Sequence, residues 1–323
     1  VHNRPRRNRK SAALRSLVRE TRLEVSQLIY PLFLLEAKKA NNPILSLPGQ
    51  SQLGLEDLLQ EVETSMNLGI ESFVLFPAVE NKHKDKTATY SYTADNFYLK
   101  TIREVKKRFP ECVLMSDVAM DPYSSDGHDG YVDNNGKIDN DRTLPILAKM
   151  ALAQAEAGID ILGPSDMMDG RVGYLREALD EKGYTGVSIM SYTAKYASAF
   201  YGPFRDALDS APKGGDKKTY QMDFSNKREA LREAMLDEDE GADMLMVKPA
   251  LCYLDIINDL KTFSHLPIAA YNVSGEYAMV KAAGARGWIN ETAAMEEMLL
   301  SIRRAGADII LTYFAKDFAS LKK

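Results

Sequence analysis

Apolar residues along the chain fall into two alternating kinds of segment. In one, polar residues interrupt at helical spacing, as in "TLPILAKMALAQAEAG" and "NETAAMEEMLLSIRRAG". The other is a short, nearly unbroken apolar run. A recurring phrase joins them: a Gly, a small or aliphatic residue, an acid, then the run. It appears in "LGIESFVLF" from Leu68, "AGIDILGPSD" from Ala157, "EGADMLMVKP" from Glu240 and "AGADIILTYFA" from Ala305. The Gly suits the left-handed position that closes a helix. The run without alternation reads as a strand buried on both faces, the pattern of parallel sheets. Four more runs lack the phrase: "LIYPLFLL" from Leu28, "VLMSDVAM" from Val113, "VSIMSYT" from Val187 and "PIAAYNV" from Pro267. Between them lie helical segments such as "GLEDLLQEVETSMN", "NFYLKTIREVKKRF" and "GRVGYLREALDEKG". Strand and helix alternate eight times over roughly 290 residues, which predicts an α/β fold of the (β/α)8 TIM-barrel type, usually ~250 residues long. A doubly wound open sheet competes, but no Gly-rich dinucleotide fingerprint follows the first strand.

The pattern divides the chain into an arm, residues 1–25, and a barrel, 26–323. The arm carries Arg4, Arg6, Arg7, Arg9 and Lys10, then a helical "AALRSLVRE". It reads as a solvated basic tail or as an arm gripping a neighbouring acidic subunit. Two segments exceed ordinary loop length, Asp121 to Arg142 and 196–226. Both follow strands, so a barrel places both on its C-terminal face, where long loops form lids or site walls. Gly214 and Gly215 would let the second one move.

Composition narrows the function classes. Hydrophobic residues are 45% and charged residues 27%, ordinary for a globular protein. A net charge of -5 argues against general nucleic-acid binding. No apolar run approaches the ~20 residues of a membrane helix. The two cysteines, Cys112 and Cys252, support no disulfide framework and suit a reducing compartment. With no apolar stretch behind "VHNRPRRNRK", the expected location is the cytoplasm.

The chemistry sits where strands end. Lys248 closes the run Met244–Val247, and Lys195 follows the run Val187–Tyr192. One such lysine would read as a snorkelling side chain. Two of them, one just after the fifth strand and one ending the sixth, are another matter, because neighbouring strands lie ~4.8 Å apart. Repulsion and desolvation would favour the neutral, nucleophilic amine at both. Such amines attack ketones or aldehydes to give Schiff bases, so two of them suggest two carbonyl substrates side by side. Other strand ends supply Asp117 and Asp121, Ser165 and Asp166, Tyr271 and Ser274, and Tyr313. The second long segment offers Arg205, Lys217, Lys218 and Gln221, suited to substrate carboxylates.

The stretches "SYTAKYASAFYGPFRDA", "GDKKTYQMD", "EGADMLMVKPALCYLDI", "YNVSGEYAM", "GPSDMMDGRV" and "RRAGADIILTYFA" resemble the porphobilinogen synthase (5-aminolevulinate dehydratase) family. The resemblance runs from "RPRRNRK" through "YPLF" to "TYFA". It implies a (β/α)8 barrel with an N-terminal arm, assembled as a homo-octamer. It further implies the asymmetric condensation of two 5-aminolevulinates into porphobilinogen, with loss of two waters, in tetrapyrrole biosynthesis. Lys248 would form the Schiff base with the first substrate and Lys195 would bind the second. Ser274 and Tyr313 match residues that hold the first carboxylate. Arg205 and Lys217 match the clamp on the second, with Gln221 and Tyr201 nearby; Ser165, at its strand end, is a further substrate-binding candidate. Lys217 stands where arginine is common, keeping the charge and losing the fork. Asp117 is a candidate proton acceptor.

Zinc-dependent members carry three cysteines in the loop after the third strand, where this chain has Ala119, Asp121 and Asp129. Without thiolates a soft zinc site is not expected, and carboxylates suit Mg²⁺. The resemblance also places Glu233 at an allosteric Mg²⁺ position, held largely through water. The expected type is therefore magnesium-dependent and zinc-independent. Another Schiff-base barrel, such as an aldolase with one reactive lysine, is the alternative.

Overall fold

The computed structural model describes residues 1–322; Lys323, assigned above to the barrel, lies outside the described residues. All eight expected strands form, each near its predicted start: β1 Leu28–Leu35, β2 Ser72–Ala78, β3 Val113–Val118, β4 Ile161–Pro164, β5 Ser188–Lys195, β6 Met244–Lys248, β7 Ile268–Asn272 and β8 Ile309–Thr312. Neighbours pair in parallel from β1 to β8. The sheet closes on itself where Leu28 and Ile29 of β1 meet Ile310 and Leu311 of β8. Helices separate the strands and cover the outside, so the strands are buried on both faces; all five residues of β7 are buried. This is why their apolar runs do not alternate.

The glycines of the recurring phrase do what their position demands. Gly69, Gly158, Gly241 and Gly306 all have positive φ, between 91° and 125°. Each ends a helix and turns the chain into the next strand, a conformation that costs a Cβ-bearing residue.

The long segments are more structured than loops. Within the first, Tyr131–Val132 and Ile138–Asp139 form a small antiparallel hairpin. The helix Asn140–Glu156 starts inside it, capped by Asp139, which accepts from the Arg142 amide. The second holds a short turn, Ala199–Tyr201, and a helix, Gly202–Leu208. Two further short strands, Asn41–Pro43 and Ser51–Leu53, extend the sheet beside β1. They are too short for a hydrophobic pattern to announce.

The arm forms a turn of 3-10 helix, Pro5–Arg9, and a helix, Ala12–Leu17, neither with a buried residue. Leu17 is 76% exposed. The chain's own barrel therefore does not cover the arm's apolar side.

Candidate active site

The barrel closes two lysines into one mouth. Lys195 and Lys248 are the last residues of β5 and β6 and are direct partners in the β5–β6 register. Lys195 thus lies within its strand rather than just past it. A bulge makes the pairing work. Between Leu245 and Val247 the register shifts, so that Ser191 faces Leu245 and Ala194 faces Val247. Residues three apart on a regular strand point to opposite faces. The extra residue restores parity and turns both Tyr192 and Lys195 toward Lys248.

The two amines have unlike surroundings. Lys248 is 6% exposed. Its Nζ lies 4.7 Å from the Tyr271 ring centre, 5.1 Å from those of Tyr192 and Phe204, and 5.3 Å from that of Tyr201. Burial, and then the nearby Lys195 charge, bring its pKa down to about 7, against the pull of Asp117, Asp121 and Asp129. Lys195 donates to the Ser165 carbonyl and lies 3.9 Å from Asp129 Oδ2. Lys195 therefore has an acidic neighbour that Lys248 lacks, because the loop after β3 brings Asp129 to it.

That loop supplies a buried acidic layer. Asp129 is held well below the usual carboxylate range: burial pushes it up, but the Lys195 and Lys217 charges and hydrogen bonds from Asp121 and Lys217 pull it down further. Asp121 goes the other way, to about 7, because burial and then Asp129 both raise it. Burial also raises Asp117, against a Ser165 hydrogen bond and the two lysines. One Asp117 oxygen has no partner among the described residues. A buried carboxyl whose charged form is disfavoured, beside two amines, is suited to proton exchange.

The remaining expected residues divide. Tyr313 shares a 3.0 Å hydroxyl contact with Tyr271, and Ser274 Oγ accepts from the Phe204 amide at 3.1 Å. Ser274 thereby ties the end of β7 to the helix carrying Arg205. The Tyr201 hydroxyl is spent on the Tyr196 and Lys248 carbonyls, at 2.7 and 3.2 Å, so its ring faces the amine. Arg205 and Gln221 line a cavity of about 540 Å³ together with Ser198, Lys218 and Cys252. The Gln221 side-chain oxygen has no partner there among the described residues. Lys217 lines the same cavity, yet its amine bridges Asp121 and Asp129 at 3.2 Å each.

That bridge bears on metal binding. Asp121 and Asp129 do converge, but on an ammonium that takes the place of a cation, and Ala119 offers no donor. Among the described residues no three His, Cys, Asp or Glu side chains are arranged to hold a metal directly. As arranged, this pair does not fit a directly bound ion, unlike the expectation drawn from the family resemblance. Glu233 is different. It is half-buried on the helix Arg228–Asp239 and lines a cavity of about 1350 Å³ with Asp169 and Glu229. Burial raises its carboxyl, Arg171 opposes, and Asp237, Asp169 and Glu229 add to the rise. A divalent ion reached through water would relieve this crowding of acids.

Sequence reasoning passed over Tyr192 and Phe204, which wall Lys248, and Asp129 as the partner of Lys195. Tyr192 stands three residues before Lys195, a spacing that points it away unless a bulge intervenes. No local signal announces the bulge.

Comparison with known proteins agrees with this architecture. The sequence matches the Delta-aminolevulinic acid dehydratase family over residues 2–321. The chloroplastic delta-aminolevulinic acid dehydratase of Glycine max is 56% identical over 316 residues, spanning 98% of this chain and 76% of the relative. That of Chlamydomonas reinhardtii is 51% identical, spanning 97% and 82%. The delta-aminolevulinic acid dehydratase (porphobilinogen synthase) of Toxoplasma gondii, solved with the reaction product porphobilinogen, superposes with a TM-score of 0.98 at 54% identity. It covers 99% of this chain and 92% of that one. This chain belongs to the delta-aminolevulinic acid dehydratase family.

Proposed function

We propose that the chain is a hydro-lyase that condenses two 5-aminolevulinate molecules asymmetrically into porphobilinogen, with loss of two waters, in tetrapyrrole biosynthesis. The observation that carries this reading is the register pairing of Lys195 with Lys248 at the mouth of a closed barrel, in a family whose Toxoplasma member was solved with porphobilinogen.

The chemistry follows from the surroundings. A substantial fraction of Lys248 is neutral near pH 7. Its nitrogen lone pair adds to the ketone carbon of the first substrate, and the carbinolamine loses water to give a Schiff base. The aromatic walls exclude bulk water and favour the uncharged amine. We assign Ser274 and Tyr313 to the first carboxylate, and Arg205 with Gln221, which line one cavity, to the second. Lys195 receives the second ketone once its amine is released from Ser165 and Asp129. Asp117 is the group we assign to accept a proton during ring closure.

Magnesium rather than zinc is the metal this chain suits. Ala119, Asp121 and Asp129 provide no thiolate, and Glu233, with Asp169 and Glu229 about the same cavity, fits a hydrated divalent ion. Such an ion would supply positive charge to an acidic outer cavity. The exposed arm supports self-association, which we infer to be a homo-octamer. The net charge gives no support to nucleic-acid binding, and no helix among the described residues is long and apolar enough to cross a membrane. The chloroplastic names of the plant and algal relatives speak for an organellar location rather than the cytoplasm expected above. Imaging of the endogenous protein decides between the two.

The test is turnover of 5-aminolevulinate after exhaustive chelation. Porphobilinogen should form, with activity lowered by chelation and restored by Mg²⁺. No pyrrole product, or restoration by Zn²⁺ alone, overturns the respective part.

A further inference from the structure

Glu276 is a fully buried carboxylate that forms no ion pair among the described residues, yet it accepts hydrogen bonds from two strand ends at once. It lies in the first turn of the helix Ser274–Ala285. One oxygen accepts from the Leu251 amide at 2.7 Å; the other accepts from Asn272 Nδ2 at 2.9 Å and the Val273 amide at 3.1 Å. The chain of contacts continues. Thr312 Oγ1 donates to Asn272 Oδ1 at 2.8 Å and accepts from the Phe314 amide at 3.1 Å. Glu276, Asn272 and Thr312 are all 0% exposed.

A helix cap alone does not require this. Accepting from Val273 would close the helix start, and an exposed cap would do so more cheaply. A buried anion is costly unless its acceptors are filled. Here they are filled by groups from outside the helix. Burial still pushes the carboxyl up to about 7, against these donors.

The three backbone amides sit beside three site residues. Leu251 is three residues past Lys248, Val273 precedes Ser274, and Phe314 follows Tyr313. We propose that the buried Glu276–Asn272–Thr312 relay positions the first-substrate subsite, locking the ends of β6, β7 and β8 so that Lys248, Ser274 and Tyr313 keep one geometry. Glu276 is a positioning residue, since it touches neither the amine nor any group assigned to substrate. Displacing reacting groups by about an ångström costs on the order of a hundredfold in rate, so the relay should appear in the chemistry of Lys248. The inference rests on the Schiff-base reading above.

The experiment is borohydride trapping of 5-aminolevulinate on the complete protein, following the rate at which the Lys248 peptide gains mass. Glu276→Gln keeps the shape and loses acceptors; Thr312→Val loses the hydroxyl and Thr312→Ser restores it. We expect Glu276→Gln and Thr312→Val to slow adduct formation by on the order of tenfold to a hundredfold, with Thr312→Ser near wild type. A core change outside the relay, Ile257→Ala, should lower Tm and leave the rate per folded enzyme unchanged, which separates positioning from stability. If Glu276→Gln does not fold, the Thr312 pair decides. Wild-type rates in Thr312→Val, or in both relay variants, overturn the proposal. No Lys248 adduct in the wild type removes the Schiff-base reading, and the proposal with it.

Discussion

Lys195 and Lys248 occupy matching rungs of adjacent strands, yet one faces acids and the other faces rings. Lys248 has four aromatic rings within 5.3 Å of its amine and no ion-pair partner among the described residues. Lys195 has the Asp129 carboxylate at 3.9 Å and a carbonyl acceptor. Two unit charges at that distance attract by roughly 4 kcal/mol at an effective dielectric of 20, enough to offset much of the cost of burying an ammonium. Without such a partner the cost falls on the charged form, and the pKa drops. Equal depth in the barrel therefore does not mean equal chemistry. The caged amine is ready to attack, and the paired one must first be released.

Removing the caged amine should have the largest effect. Lys248→Ala is expected to cut turnover on the order of 10⁴-fold or more, as loss of a covalent nucleophile does. Steady-state assays measure the loss. Retained turnover, or a wild-type Lys248 peptide left unlabelled by borohydride, would break the comparison at its stronger side.

Titration sharpens it. A base with a pKa of about 7 is neutral above that pH and charged below it. The trapping rate at Lys248 should be flat above pH 7 and fall about tenfold per unit well below it. A rate still climbing toward pH 10 would show that the cage leaves the amine at its ordinary basicity.

The smallest effect concerns the other subsite. Arg205→Ala should weaken the second substrate by about tenfold to a hundredfold, the worth of one charge-assisted hydrogen bond. Trapping at Lys248 should survive it. Loss of that trapping would show that the subsites are assigned the wrong way round.

Much of this was legible before folding. The unbroken apolar runs showed strands buried on both faces, and the glycine phrase marked where helices hand over to them. Strand-end placement alone singled out Lys248 and Lys195, and also Asp117, Ser274 and Tyr313. Other features had no local signal. The Asp129–Lys195 contact joins residues 66 positions apart, and Lys217 is drawn to Asp121 across 96. The family resemblance offered Asp121 and Asp129 as carboxylates for a metal, because sequence cannot show the lysine between them. Glu276 reads as an ordinary acid in a helix's first turn until Leu251 is folded against it.

The sequence by itself determined the barrel, its arm and the two lysines at adjacent strand ends, because burial pattern and helix-ending glycines are local properties of the chain. Only the tertiary structure decided which amine is caged and which is paired. Protonation depends on what stands within a few ångströms, and those neighbours arrive from distant loops and from a one-residue shift in register.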